Sequence, residues 1–232
     1  MPRTTKAEHF ATQAYVEFNL TPKDSLVIRV ASSFVSKEQA LLNFEREVKN
    51  RSFCEVMLRA KNEWNEKLGR IRVEGEVAPN TIRTFYSCLY RTLLFPRKFF
   101  EYDNENKQIY YSPYDGKIHS GVMYTDNGFW DTYRTVYPLF SIIAKTEYKE
   151  ILEGFITDYI DGGWLPCWTA LDAKKCMPST MIDAIIADAA VKGIISGELL
   201  HTAFQGMEKH ANTPSENPAY GREGCEQYLK SG

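Results

Sequence analysis

The residues best equipped for chemistry form one unbroken run, Tyr124-Thr125-Asp126-Asn127-Gly128-Phe129-Trp130-Asp131-Thr132-Tyr133-Arg134. Aromatic rings, carboxylates and a guanidinium crowd together there with almost no aliphatic residue between them. A packed core needs Leu, Ile and Val. A sugar site needs flat aromatic faces for C–H surfaces, and charged groups for hydroxyls. A second cluster follows at Asp161-Gly162-Gly163-Trp164-Leu165-Pro166-Cys167-Trp168. The pair reads as one wall of a carbohydrate site. On spacing alone, a structural role for the first cluster stands slightly ahead. Trp and Tyr often sit half-buried with a bonded polar tip, and Asp131 could cap a helix. The second cluster shifts the balance, because a Gly-Gly turn followed by Trp-Leu-Pro-x-Trp puts two indoles on an irregular segment. Loops on a rigid scaffold are where binding residues gather.

The elements that must hold these clusters are mainly helical. Tyr15-Val16-Glu17-Phe18 and Leu26-Val27-Ile28-Arg29-Val30 read as two short strands flanking a Thr21-Pro22-Lys23-Asp24 turn. Two strands alone are marginal in water, so they imply a sheet from elsewhere. Ser36 with Gln39, and Ser52 with Glu55, form capping-box signatures. Stripes then run through Leu41, Phe44 and Val48, and through Val56, Ala60, Trp64 and Leu68, with Gly69 as the stop. These charged helices look like a bridging pair between domains.

Asn80 is the expected cap of a third helix with Ile82, Phe85, Leu89 and Leu93 inward, halted by Pro96. Residues 98–123 read as a long loop with a hairpin near Ile109–Tyr111, and loops of that length are usually functional. From Thr146 a helix turns Tyr148, Ile151, Leu152, Phe155, Ile156 and Tyr159 to one face and ends at Gly162-Gly163. Thr180 with Asp183 suggests another capping box, opening a helix with Ile182, Ile185, Ile186 and Ala189 inward and an Asp188–Lys192 pair outward. Leu200, Phe204 and Met207 mark the next helix. Residues 211–220 form a loop, and a last helix begins near Cys225.

Bulk properties narrow the function class. At 232 residues, 44% hydrophobic and 25% charged, the chain has the make-up of a folded globular protein. A net charge of −2 gives no general attraction to nucleic acid or to an anionic membrane. No apolar run approaches the length of a membrane span. The basic start Met1-Pro2-Arg3-Thr4-Thr5-Lys6 lacks the apolar stretch of a signal peptide. The five cysteines include no C-x-x-C pair, which argues against a zinc site. Cys167 and Cys176 flank a loop and could bridge, although buried thiols are the favoured reading.

Several blocks, in order and at compatible spacing from about Ser33 onward, resemble glycoside hydrolase family 92. The core of the likeness is Trp130-Asp131-Thr132-Tyr133-Arg134. With it stand Ser33-Phe34-Val35-Ser36-Lys37-Glu38-Gln39-Ala40, Trp64-Asn65-Glu66-Lys67-Leu68, Thr84-Phe85-Tyr86-Ser87-Cys88-Leu89-Tyr90-Arg91, Gly162-Gly163-Trp164-Leu165-Pro166-x-Trp168 and Ile186-Ala187-Asp188-Ala189. The chain departs from the family where a Gly and a His commonly follow the Cys-Met, since Ser179 and Met181 stand here. That leaves a polar sugar contact either missing or replaced by Thr180 or Asp183.

The resemblance implies calcium-dependent exo-α-mannosidase chemistry with inversion on a mannose-containing oligosaccharide or glycoprotein glycan, with no nucleic acid or membrane as partner. It implies an incomplete (α/α)6 toroid over 79–232, a helical bridge over 34–78, and the last strands of a β-sandwich domain over 1–33. Substrate contacts fall on Trp130, Asp131, Trp168, Arg134 and Asp126. Asp131 is the strongest candidate, Arg134 is expected to orient it, and Asp126 has the weakest case, as a possible helix cap. The family's acid, base and calcium ligands belong to blocks absent from residues 1–232. Members are often exported. Residues 1–232 alone are expected to be poorly soluble and inactive. A truncated or decayed sugar-binding module is the alternative, ahead of an unrelated helical interaction module.

Overall fold

The computed structural model describes residues 15–177 and 180–232, so residues 1–6 and Ser179 lie outside it. Two units partition the chain, Met1–Val30 and Ala31–Gly232. In the described part of the first, the expected turn is present. The Asp24 carboxylate accepts from the Thr21 amide at 2.8 Å and from its hydroxyl at 2.9 Å. The expected strands at 15–18 and 26–30 do not form. Their alternating side chains are exposed, and a strand without a ladder partner has nothing to hold it extended.

The second unit opens with three helices, α1 (Lys37–Glu47), α2 (Phe53–Leu68) and α3 (Pro79–Thr92). Five short strands follow: β1 (Arg97–Lys98), β2 (Glu101–Tyr102), β3 (Gln108–Tyr111), β4 (Ile118–Ser120) and β5 (Tyr124–Thr125). Next come β6 (Asn127–Gly128), α4 (Phe129–Thr132), α5 (Val136–Ile143) and α6 (Lys145–Gly162). The rest is β7 (Trp168–Ala170), β8 (Asp172–Ala173), α7 (Met181–Val191), α8 (Gly197–Asn212) and α9 (Cys225–Ser231). The strands make three small antiparallel sheets, β1-β5, β2-β3-β4 and β6-β7-β8. The stretch read as a long loop is thus largely a three-stranded meander, with the hairpin at Ile109–Tyr111 at its centre.

The core lies around α5, α6 and α7. Tyr137, Tyr148, Leu152, Phe155, Ile182, Ile185 and Ile186 are buried there. The stripes expected on α6 and α7 therefore face inward, and Asp188 pairs with Lys192 at 2.7 Å. Gly163 closes α6 at φ 76°, the left-handed region that only glycine enters without strain.

Several local expectations differ. Ser36 caps α1, but Gln39 does not reach back. Its amide donates instead to Asn43 at 3.0 Å and to the Tyr102 carbonyl at 2.8 Å. The Ser52–Glu55 box is complete. Ala78 rather than Asn80 caps α3, because Pro79 takes the first helical position, where a missing N–H costs nothing. Thr180 precedes α7 in the left-handed region at φ 64° and makes no cap bond. On α8, Leu200 and Met207 pack against the core as expected and Ala203, Gly206 and His210 are buried, while Phe204 faces out.

The arm formed by α1 to α3 has little apolar burial, and only Gln39 and Leu89 on these helices are buried. Polar contacts attach it instead. The Glu101 carboxylate accepts from Ser33 Oγ and the Phe34 amide, each at 2.8 Å, and from Asn43 at 2.6 Å. Arg70 donates to Glu147 on α6 at 2.6 Å.

Candidate sugar site

The site begins with one anchored ring. Phe129 is fully buried and meets Phe155 edge-on at 4.9 Å. That fixes the start of α4 and leaves the next two residues, Trp130 and Asp131, at the surface. β6 runs into this helix, and β7 lies antiparallel to it with Trp168 opposite Gly128. A Cβ on Gly128 would stand 2.6 Å from Trp168 Nε1 and 3.1 Å from Asp131 Oδ2. The bare backbone at Gly128 is therefore what lets the indole N–H and the carboxylate close over the same spot.

Hydroxyls and an amide brace this junction. Buried Asn127 accepts from the Tyr137 hydroxyl at 3.0 Å, and Thr132 Oγ1 donates to the Gly128 carbonyl at 2.9 Å. Thr125 and Thr169 bond through their hydroxyls at 3.1 Å, and Thr125 Oγ1 also accepts from the Leu171 amide at 2.6 Å.

Of the five residues singled out from the sequence, Asp131 and Trp168 are brought together. Trp168 lies on a strand, where an irregular segment was expected, and Trp164 is the indole that lies on the irregular stretch. Trp130 is 39% exposed and carries the Arg134 guanidinium 4.8 Å from its ring centre. Arg134 also lies 4.9 Å from the Tyr133 ring. It does not orient Asp131 as expected. α4 ends at Thr132, so a residue three positions on from Asp131 leaves the shared helical face, and cation–π contact takes the guanidinium. Asp126 caps nothing. It sits at φ 60° and pairs with Arg97 Nε at 3.1 Å, which holds β1 beside β5.

Two polar centres behind the site escaped the sequence reading. Asp158 on α6 is fully buried. Its Oδ1 accepts from the Tyr114 hydroxyl at 3.1 Å, and its Oδ2 has no hydrogen-bond partner. Burial pushes this carboxyl well above the usual carboxylate range, and the charges of Asp161 and Asp172 add to that. The proton-rich form is the one that tolerates such a place. Burial raises the Tyr114 hydroxyl as well, so it remains a donor.

The second centre is His210, also fully buried, set against Asp183 at 2.8 Å and the Leu165 carbonyl at 3.1 Å. Arg222 reaches the other Asp183 oxygen at 3.2 Å. Asp183 is thereby engaged inside the protein, and Thr180 is buried. Neither supplies the open polar contact expected near Met181. An Asp twenty-seven residues from a His carries no spacing signal; only the fold joins them.

Among the described residues, no group of three or more His, Cys, Asp or Glu is placed to hold a metal ion. Among the described residues no helix is long and apolar enough to cross a membrane.

Comparison with known proteins gives this geometry a setting. The glycosyl hydrolase family 92 catalytic domain matches residues 39–232. An uncharacterized secreted glycosidase of Arthroderma benhamiae is 28% identical over 200 residues, covering 84% of this chain and 21% of that protein. A family GH92 inverting mannosidase of Bacteroides thetaiotaomicron superposes with a TM-score of 0.81 at 41% identity, over 86% of this chain and 27% of that one. A family GH92 α-mannosidase of the same bacterium shares the fold alone, with a TM-score of 0.69 at 23% identity over 81% and 25% of the two chains. The chain thus spans about a quarter of the length of the relatives it matches. The matched span takes in both aromatic clusters and every helix from α4 to α9, and on that ground the chain belongs to glycosyl hydrolase family 92.

Proposed function

We propose that this chain is part of an exo-α-mannosidase that removes terminal α-linked mannose from N-glycan-type mannosides with inversion, and that its own contribution is one wall of the sugar site. The observation that carries this reading is the Gly128 junction, where Asp131 and Trp168 converge. An exposed carboxylate accepts from sugar hydroxyls through charge-assisted bonds, which are stronger than neutral ones. The Trp168 and Trp130 indoles supply apolar faces beside it, and Arg134 steadies Trp130. Asp126 acts through Arg97 and leaves the sugar untouched.

Inverting hydrolysis needs one carboxylic acid to protonate the leaving oxygen and a second carboxylate to activate water, about 6.5–9.5 Å apart. In this reading both lie outside residues 1–232, as do the ligands of the calcium that the family resemblance implies. Residues 79–232 form the first part of an (α/α)6 toroid and 34–78 a helical bridge; the β-sandwich tail expected before them has no strand among its described residues. A secreted relative supports an exported enzyme.

The test is product stereochemistry. The native polypeptide incubated with an aryl α-mannoside should release β-mannose first, read by proton NMR before mutarotation. Release of α-mannose contradicts inversion. Sugar binding without release leaves the alternative, a non-catalytic sugar-binding module.

A further inference from the structure

The irregular segment that delivers Trp168 to the site is gripped by one helix. From α8, Lys209 Nζ donates to the Gly163 carbonyl at 2.7 Å and stands 4.4 Å from the centre of the Trp164 ring. The Trp164 and His210 rings lie nearly parallel with centres 6.1 Å apart. His210 then meets the carbonyl two residues on, that of Leu165, and the fully buried Leu165 side chain lies on Gly206, where a Cβ would come within 2.7 Å of it. Three residues later the chain enters β7 at Trp168.

The Leu165 carbonyl can only accept, so His210 Nε2 carries the proton of that bond. The other ring nitrogen faces the Asp183 carboxylate on α7, itself held by Arg222. This fixes the ring plane from one side and the Leu165 backbone from the other. An imidazole whose orientation is set by a carboxylate is a rigid ruler between α7 and the segment.

We propose that His210 and Asp183 are positioning residues of the sugar site: through the Leu165 carbonyl they set where Trp168 stands beside Asp131. The inference rests on the mannoside reading above, since it assigns these residues an effect on sugar affinity. They touch no substrate. A core histidine that merely stabilises the fold would alter how much enzyme is folded, without altering how tightly the folded enzyme holds sugar.

The two nitrogens can be separated by substitution. In His210→Gln the side-chain amide reaches the Nε2 position and can still donate to Leu165. In His210→Asn it reaches only the Nδ1 position and loses that bond. In the native polypeptide, His210→Asn should raise KM for an α-mannoside roughly tenfold with kcat changed by less than about twofold, while His210→Gln, which keeps the Leu165 bond and gives up only the Asp183 contact, should raise it by no more than Asp183→Asn does. Asp183→Asn should give a smaller rise in KM. Amide hydrogen exchange, read by mass spectrometry, should be faster over residues 165–170 in His210→Asn and unchanged in His210→Gln. Unchanged KM in His210→Asn, a fall in kcat alone, or equal behaviour of the Asn and Gln variants would overturn the proposal. If the wild-type polypeptide releases no mannose, the mannoside reading fails on its own. The exchange pattern then decides the positioning role by itself, for it when only the Asn variant loosens the segment and against it otherwise.

Discussion

The arm of α1 to α3 and the body of α4 to α8 are written in the same amphipathic code and end in different states. On α6, Tyr148, Leu152 and Phe155 are fully buried. On α2 the stripe is covered only in part: Trp64 meets Tyr90 at 4.4 Å, Val56 is exposed, Phe53 ahead of it is 73% exposed, and no residue of the helix is fully buried. Periodicity names the face that can be buried; what covers it is decided by other elements. The body's helices have each other. The arm is attached mainly by polar contacts, through Gln39, Arg46 and Arg70 and onto Glu101, with the Phe34–Phe99 ring contact at 4.5 Å and Leu93 as its apolar footholds. The sugar wall stands on the body, where Phe129 ties it to the core.

Stability should divide the two regions most sharply. Phe155→Ala in the body is expected to cost about 3–5 kcal/mol in denaturant unfolding, whereas Phe53→Ala on the arm should change it by less than about 0.5 kcal/mol. Equal costs would mean that α2 is as well packed as α6.

Within the body, the wall should separate from its supports. Asp131→Asn is expected to lower kcat/KM on an α-mannoside by about 1.5–3 kcal/mol, roughly ten- to a hundredfold, by weakening bonds to a charged acceptor. Asp126→Asn should stay within about threefold, since it removes only an exposed ion pair with Arg97. A larger loss at Asp126 than at Asp131 would exchange their roles.

The arm has its own device, the capping box of α2. Ser52→Ala should weaken that helix by about 1 kcal/mol, seen as faster amide exchange over 53–56 with little change in global unfolding. A fully cooperative loss would show that arm and body unfold as one.

The subtlest contrast lies in pH, at the two ends of α6. At one end the Arg70 bond holds Glu147 down at about 2. Its stabilising effect is present above the ordinary glutamate range and fades as pH falls towards 2, and partial exposure keeps it modest. Buried Asp158 is raised, so its contribution is complete in acid and is lost as pH climbs above the ordinary aspartate value. Glu147→Gln should flatten the acid limb of melting temperature against pH, and Asp158→Asn the limb above it. The same limb flattening in both variants would refute the assignment.

Much of the body was legible in the sequence. The α6 and α7 stripes, the Gly163 stop and the Asp188–Lys192 pair rest on local spacing, which sequence carries. The expected strands at 15–18 and 26–30 failed because β pattern needs a partner that spacing does not supply. The 98–123 stretch was misread because its strands are only two to four residues long, too short for a period to register. At the site, the aromatic–carboxylate composition singled out Asp131 and Trp168, and the fold sets the two beside Gly128. The Arg134 role was misjudged because α4 is a single turn. Asp158 and the His210–Asp183 pair left no trace, since burial and a bond across twenty-seven residues exist only after folding.

Gly128→Ala decides whether the bare backbone at Gly128 is what lets an indole and a carboxylate share one sugar-facing spot. Gly128 has φ −99° and ψ 109°, a conformation alanine adopts freely, so the added methyl acts by bulk alone. The variant should fold, and its KM for an α-mannoside should rise several-fold as Trp168 and Asp131 are forced apart. A folded Gly128→Ala enzyme with wild-type KM would contradict the account.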